Sequence, residues 1–256
     1  METTEEIVLA VIMPAYNQET TIEQVIDEWI AALTGLGVRF RLHVYNDGST
    51  DATPALLNRL AGTHEALHLY HQANAGHGPT ILQGYRENAH ATWIFQVDSD
   101  DEVSAAHFEA FWQQRHAYDF IIAHRKGRKA SVSRKLLSWA ARSLIHLLYG
   151  GAVHDVNVPY RLLRTEAFQP CFSAIPEHYF APNLAITGYA ALHDLKTLER
   201  TVPHRSRVTG DVTRSSWRIL KGSLLALGQT IALRFSANLP PGVLSGRPQG
   251  PSGPPG

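Results

Sequence analysis

Between Asp98 and Glu102 the chain reads Asp-Ser-Asp-Asp-Glu, a dense run of carboxylates. Gathered in a cleft, such charges repel one another unless compensated. A hard divalent cation with oxygen ligands is the usual remedy, which makes Asp98 and Asp100 candidate ligands for Mg²⁺ or Mn²⁺. The same run also suits an acidic helix start capped by Ser104. Three more polar stretches each follow an apolar run: Pro14-Ala15-Tyr16-Asn17-Gln18-Glu19, Asn46-Asp47-Gly48-Ser49-Thr50-Asp51 and Asn74-Ala75-Gly76-His77-Gly78. Other chemistries lack their residues. The turn after the first apolar run has no glycines for a dinucleotide, no Gly-Lys-Ser/Thr phosphate loop exists, and there is no Gly-x-Ser-x-Gly nucleophile turn. His64, His68 and His71 have helical spacing, but His64 falls in a turn and His71 at a strand end, so they read as structural.

The elements that must position these loops follow from periodicity. Short β-type runs at 7–13, 40–45, 67–70, 93–97 and 120–123 alternate with helical patterns, the signature of an open, doubly wound parallel sheet. In such sheets ligands bind beyond the carboxyl ends of the strands, where all four polar loops fall. Thr20 and Glu23 offer a capping box for a helix with Ile22, Val25, Ile26, Trp29, Ile30 and Leu33 on one face. Further helices are expected after Thr50, near 79–88, 104–115 and 134–149, and over 215–235. An irregular region and an extended run near 190–203 separate the last two.

The 256 residues, 44% hydrophobic and 18% charged, suffice for a large core and exclude a disordered chain. Basic and acidic residues number 23 each, so nothing in the bulk charge supports binding to nucleic acid. Charge is nevertheless segregated: 1–38 carries acidic but no basic side chains, and every charged residue between Asp119 and Asp155 is basic. The lone Cys171 excludes an internal disulfide and a multi-thiolate metal site and points to a reducing compartment, the cytoplasm. The acidic start does not read as a secretory signal. The stretch 222–233, bracketed by Lys221 and Arg234, is shorter than the roughly 18 to 20 apolar residues a membrane span needs. The expected organisation is one domain over 1–236, made of an α/β half (1–123), a second half (124–214) and an amphipathic helix (215–236). A flexible Pro/Gly-rich tail follows over 237–256.

Taken together and in order, VIMPAYNQE, YNDGSTD, NAGHGPTILQGY and FQVDSDDE resemble the family-2 glycosyltransferases of the GT-A fold, within them the polyprenyl-phosphate, dolichol-phosphate mannosyltransferase-like branch. The likeness covers most of 7–214. It implies a Rossmann-like, mostly parallel sheet with C-terminal amphipathic helices, 1–123 binding a nucleoside diphosphate sugar and 124–214 its acceptor. By the same resemblance Pro14, Tyr16, Asn17, Glu19 and Asp47 line the base and ribose pocket, an aromatic face and amide or carboxylate acceptors suiting a heterocycle with N–H donors. His77 and Gly78 let backbone approach the donor, and Asp98, Ser99 and Asp100 form the Asp-x-Asp segment. There Asp98 and Asp100 would hold the cation that neutralises the departing diphosphate. Asn46 stands where the family usually has the first of two aspartates, which leaves uridine and guanosine both open as the base.

The second half resembles the acceptor side of that branch. Arg125, Arg134 and Ser138 match residues that bind the acceptor phosphate, and Arg207 in HRSRVTG matches an arginine that closes on the diphosphate, with His204 and Arg205 beside it. DVNVPYRLLR looks like the segment that in this branch faces the reacting sugar, and its Asp155 would be a general base if the acceptor were a hydroxyl; a phosphate acceptor, already anionic, needs none. The basic run at 125–135 and the apolar residues of the next helix suit a lipid phosphate at a membrane surface, or simply a core helix with a solvated basic end. The expectation is a metal-dependent inverting glycosyltransferase, peripheral on the inner face of the cell membrane, that transfers a sugar to polyprenyl phosphate. Its rivals are the same fold glycosylating a saccharide hydroxyl and a non-catalytic nucleotide-sugar-binding module.

Overall fold

The computed structural model describes residues 8–126, 132–150, 153–205 and 216–236, without the side chains of 132–136 and 216–220. Seven strands form one sheet: β1 (Leu9–Ala15), β2 (Phe40–Asp47), β3 (Leu67–Gln72), β4 (Trp93–Val97), β5 (Phe120–Lys126), β6 (Tyr160–Arg164) and β7 (Thr197–Pro203). Their spatial order is β3-β2-β1-β4-β6-β5-β7, and all neighbours are parallel except β6, which is antiparallel to both β4 and β5. The chain leaves β1 in one direction to β2 and β3, then returns to β4 on the other side of β1. This reversal opens a crevice at the carboxyl ends of β1 and β4.

β1 and β4 are buried at every position, as central strands covered on both faces must be. Helix α1 (Ile22–Gly35) lays Ile22, Val25, Ile26, Trp29 and Leu33 on the sheet, and the Trp29 indole packs against the rings of Phe95, Phe108 and Tyr160. The capping box expected from Thr20 and Glu23 does not form. The helix starts at Ile22, and the hydroxyl of its N-cap, Thr21, goes instead to the Gln18 side chain and the Ser99 carbonyl. Helices α2 (Thr53–Ala61) and α3 (His77–Glu87) follow β2 and β3. After β4, Ser104 caps a 3₁₀ turn (Ala105–His107) that leads into α4 (Phe108–Trp112), shorter than the helix expected over 104–115.

Past β5 the order differs more from expectation. α5 (Val132–Tyr149) forms as expected, but the supposedly irregular region contains β6, α6 (Thr165–Ala174) and α7 (Pro182–Leu192). α7 is buried from Pro182 to Ala190, so it shows no apolar stripe against a polar face. The extended run begins only at Thr197, because Ala190 still belongs to α7. Helix α8 (Ser216–Arg234) then packs on α5, where the Tyr149 hydroxyl donates to the Thr230 carbonyl at 2.7 Å and Arg234 Nε to the Leu148 carbonyl at 2.8 Å. The expected tail over 237–256 lies outside the described residues.

One core histidine gives the fold a pH signature. His43 on β2 is buried, its Nδ1 lies 3.2 Å from the Tyr70 hydroxyl, and its Nε2 has no partner among the described residues. Burial, with lesser contributions from His68, Arg41 and His90, pushes its pKa down to about 3. In the unfolded chain it titrates near 6.5, so as pH falls below that value the unfolded state binds the extra proton and stability drops. The slope approaches about 1.4 kcal/mol per pH unit between the two pKa values. His43→Phe, which keeps a ring against Tyr70, is expected to show a shallower loss of unfolding free energy between pH 7 and pH 5 in denaturant titrations. Parallel losses would remove His43 from the account.

Candidate active site

Three loops are knitted together on the β1 side of the crevice. Asn17, in the left-handed conformation (φ 52°) that asparagine tolerates, donates its N–H to Ser49 Oγ at 3.0 Å and accepts from the Thr50 N–H at 2.8 Å. Glu19 Oε2 accepts from the Ala52 N–H at 2.9 Å, and Asp51 accepts from the N–H groups of Glu19 and Thr53. Both oxygens of buried Asp47 are engaged, Oδ1 by Gln72 Nε2 and the Ala75 N–H and Oδ2 by the Gly76 N–H. These residues therefore fix the loops that follow β1 and β2, whereas Tyr16 beside them is 45% exposed. Gly48 (φ 71°) is required here, since a Cβ would lie 2.7 Å from the Asn74 nitrogen. Asn46 Nδ2 is 2.9 Å from His71 Nδ1, and Asn46 Oδ1 accepts from the Ser49 N–H at 3.2 Å.

On the β4 side, Pro14 and Ser99 join the two strand ends: Ser99 Oγ donates to the Pro14 carbonyl at 2.8 Å. The serine between the two aspartates is thus a buried tether, and it leaves Asp98 and Asp100 as the candidate oxygen donors. Asp100 is buried and its Oδ1 accepts from the Glu102 N–H at 3.2 Å. Asp98 Oδ1 accepts from Gln96 Nε2 at 3.1 Å and lies 3.7 Å from His77 Nε2, at the first turn of α3. Burial, with Asp100 and Glu102 adding to it against His77 and Arg125, pushes the Asp98 carboxyl up to about 6. A carboxyl so destabilised as an anion is one that a cation would relieve. Gly78 serves packing, because an added Cβ would meet the carbonyl oxygens of Tyr179 and Phe180. Among the described residues no three carboxylate, histidine or cysteine side chains are arranged to enclose an ion. Two carboxylates nevertheless fit Mg²⁺ or Mn²⁺ when substrate phosphates complete the shell, as these ions prefer.

The second half contributes an ionic cluster. Arg125, on β5, is buried and forks onto Asp155, with Nε to Oδ2 at 2.9 Å and Nη2 to Oδ1 at 3.3 Å, while Nη1 reaches Glu102 at 3.0 Å. Desolvation opposes its charge, but Asp155 and Glu102 outweigh it and raise the guanidinium's pKa. Arg125 and Asp155 are thus paired with each other, and Arg125 is committed to carboxylates and not open to an acceptor phosphate. Glu199 on β7, without a signal in the sequence beyond its strand position, accepts from the N–H groups of His154 and Asp155 at 3.0 and 3.1 Å. Arg205 pairs with Asp101 at 3.1 Å, and His204 Nδ1 is 3.9 Å from Glu102. Ser138 is exposed on α5. The Arg134 side chain and all of Arg207 lie outside the described residues.

Residues 10–172 match the model of the family described as "Glycosyl transferase family 2". The chain belongs to that family. Among curated relatives, the chain is 25% identical over 215 residues to undecaprenyl-phosphate 4-deoxy-4-formamido-L-arabinose transferase of Pseudomonas paraeruginosa, covering 83% of this chain and 62% of the relative. It is 26% identical over 179 residues to dodecaprenyl-phosphate galacturonate synthase of Rhizobium johnstonii, covering 68% of this chain and 53% of that protein. The chain thus spans less than two thirds of either relative's length. Among solved structures, glucosyl-3-phosphoglycerate synthase from Mycobacterium tuberculosis, in complex with Mn²⁺, UDP-glucose and phosphoglyceric acid, superposes with a TM-score of 0.67. It is 17% identical, with 89% of this chain and 79% of that one covered. The likeness establishes the GT-A type of α/β architecture for the chain.

Proposed function

We propose that the transferase moves a sugar from a nucleoside diphosphate sugar to a polyprenyl phosphate, with Mg²⁺ or Mn²⁺ held by Asp98 and Asp100. The observation that carries the reading is this carboxylate pair, Asp98 partly buried and Asp100 buried, on the loop that Ser99 ties to Pro14 at the topological reversal of a family-2 glycosyltransferase sheet. Tyr16 offers a stacking face for the base, and the Asn17–Glu19 and Asp47 networks hold the ribose side of the pocket rigid. A bound cation would supply charge neutralisation of the diphosphate as it leaves. An acceptor phosphate oxygen attacks the anomeric carbon, the bond from that carbon to the diphosphate oxygen breaks, and the nucleoside diphosphate departs as an anion with inversion. Asp155 supports a phosphate over a hydroxyl acceptor: its carboxylate is forked onto Arg125, a poor arrangement for a group that must collect a proton. The polyprenyl-phosphate specificities in the names of both relatives favour the same choice.

Binding to the native state raises apparent stability, so a thermal-shift panel tests the donor directly. UDP or GDP with Mn²⁺ is expected to raise the melting temperature, and neither the cation alone nor the nucleotide with a chelator is expected to do so to the same extent. A panel without any nucleotide response would overturn the donor assignment. Arg134→Ala is expected to raise the concentration of acceptor required while leaving the donor requirement unchanged, as loss of a phosphate-binding guanidinium should. Equal effects on both substrates would move the acceptor site away from α5.

The acceptor reading also requires a surface that meets lipid. No helix among the described residues is long and apolar enough to cross a membrane. The packed pair α5 and α8 instead exposes Trp139 and Leu147 together with Leu224, Leu225 and Ile231, and Phe235 just past the end of α8 is exposed as well. Such an edge suits a membrane interface, and the basic residues of 126–135, taken from the sequence alone, would add attraction to an anionic surface, where each basic side chain contributes about 1 kcal/mol and salt screens only that part. Co-sedimentation with anionic vesicles is expected to weaken, but not vanish, at high ionic strength. Protein that stays in the supernatant at low salt would contradict the membrane-surface reading and favour a soluble acceptor.

A further inference from the structure

We infer that Gln96 is a positioning residue for Asp98, the last link of a buried relay that starts at Tyr85 and runs through Asn183. Gln96 is fully buried on β4, an otherwise apolar strand, and lies two residues before Asp98, so both side chains leave on the same face. Its Nε2 donates to Asp98 Oδ1 at 3.1 Å, and its Oε1 accepts from Asn183 Nδ2 at 3.1 Å. Asn183 Oδ1 in turn accepts from the Tyr85 hydroxyl at 3.5 Å. An ionised carboxylate only accepts, so Asp98 dictates which way Gln96 is turned, Gln96 dictates Asn183, and every donor in the chain points toward Asp98. Hydrogen bonds in such a series polarise one another.

The far end of the relay is itself fixed. The Asn183 carbonyl accepts from Arg161 Nη1 at 3.0 Å and from Thr187 Oγ1 at 2.9 Å, and the fully buried Arg161 also donates to the Val158 carbonyl. Sheet packing alone has no need of two buried amides, which are tolerated only when their groups are satisfied. Gln96 and His77 both approach Asp98 at Oδ1, so the carboxylate is oriented through one oxygen, leaving Oδ2 for a ligand. The relay is thus the outer shell of the cation site, a role resting on the reading of Asp98 as a cation ligand.

The test is Mn²⁺ binding by the intact chain, followed by electron paramagnetic resonance with UDP or GDP present in separate arms, for wild type, Gln96→Leu and Asn183→Leu. Gln96→Leu is expected to weaken Mn²⁺ binding by about 10- to 100-fold, as outer-shell losses do, and to change the spectrum of the bound ion. Asn183→Leu, which frees Gln96 without removing it, is expected to weaken binding in the same direction by a smaller factor. Circular dichroism confirms that each variant is folded. Wild-type affinity in folded Gln96→Leu would overturn the inference, as would wild-type affinity in Asn183→Leu if Gln96→Leu fails to fold. Wild-type protein that binds no Mn²⁺ with either nucleotide would overturn the cation site itself, a distinct failure.

Discussion

Asp100→Ala is expected to reduce sugar transfer by about 10³-fold or more, because losing a cation ligand removes several kcal/mol of compensation for the departing diphosphate. Asp98→Ala is expected to follow with a somewhat smaller loss. Both variants should remain folded by circular dichroism, although Asp98→Ala leaves Gln96 Nε2 without its acceptor. Asp98 adds a second readout. Its carboxyl is pushed up to about 6 chiefly by burial, so above that pH the folded state bears an anion it disfavours. Between the ordinary carboxylate range and pH 6 only the folded state holds the extra proton, so the penalty grows over that window and levels off above 6. Asp98→Asn, measured without divalent cation, should therefore be more stable than wild type at pH 7.5, with the difference shrinking toward pH 5. A variant that loses activity and stability together would make Asp98 a structural residue.

Arg125→Ala is expected to be the most destabilising single change in the site. It leaves Asp155 and Glu102 facing each other without their shared cation, and breaking a buried pair in this way typically costs about 3–5 kcal/mol. Truncating Asp155 costs less, because Arg125 keeps Glu102. In a double-mutant cycle read by denaturant unfolding, Arg125→Met combined with Asp155→Leu should recover part of the Arg125→Met loss, since the uncompensated charge goes with its partner. Strictly additive losses would mean that the fork seen between the two side chains contributes nothing to the folded state. The same fork explains why an arginine that resembles a phosphate ligand in sequence has a different task in the structure.

What was legible in the sequence is what local pattern encodes. The strands β1 to β5 and helices α1, α3 and α5 follow from buried runs and apolar stripes, and the four loops that bear the site follow from their places after strands. β6 and α7 were not legible, because elements buried on all sides lack the contrast between an apolar and a polar face. The N-cap falls one residue later than the Thr20–Glu23 pattern suggests, at Thr21, whose hydroxyl bonds the Gln18 side chain and the distant Ser99 carbonyl, partners that no local pattern reveals. Partnerships such as Arg125 with Asp155 and Glu102, Glu199 with the 154–155 backbone, or Asp98 with Gln96 and Asn183 join segments far apart in the chain. No spacing rule announces them. Only the polar Gln96 inside an apolar strand left a visible trace.

The most direct measurement is transfer itself. The intact chain is incubated with radiolabelled UDP- and GDP-sugars and a polyprenyl phosphate in anionic vesicles, with Mn²⁺ or with a chelator, and the lipid phase is counted and its product identified. The account predicts label in a single-sugar polyprenyl phosphate, equal release of nucleoside diphosphate, and loss of both with the chelator or in Asp100→Ala. Label that appears only on a hydroxyl acceptor, or transfer that persists without divalent cation, would contradict it.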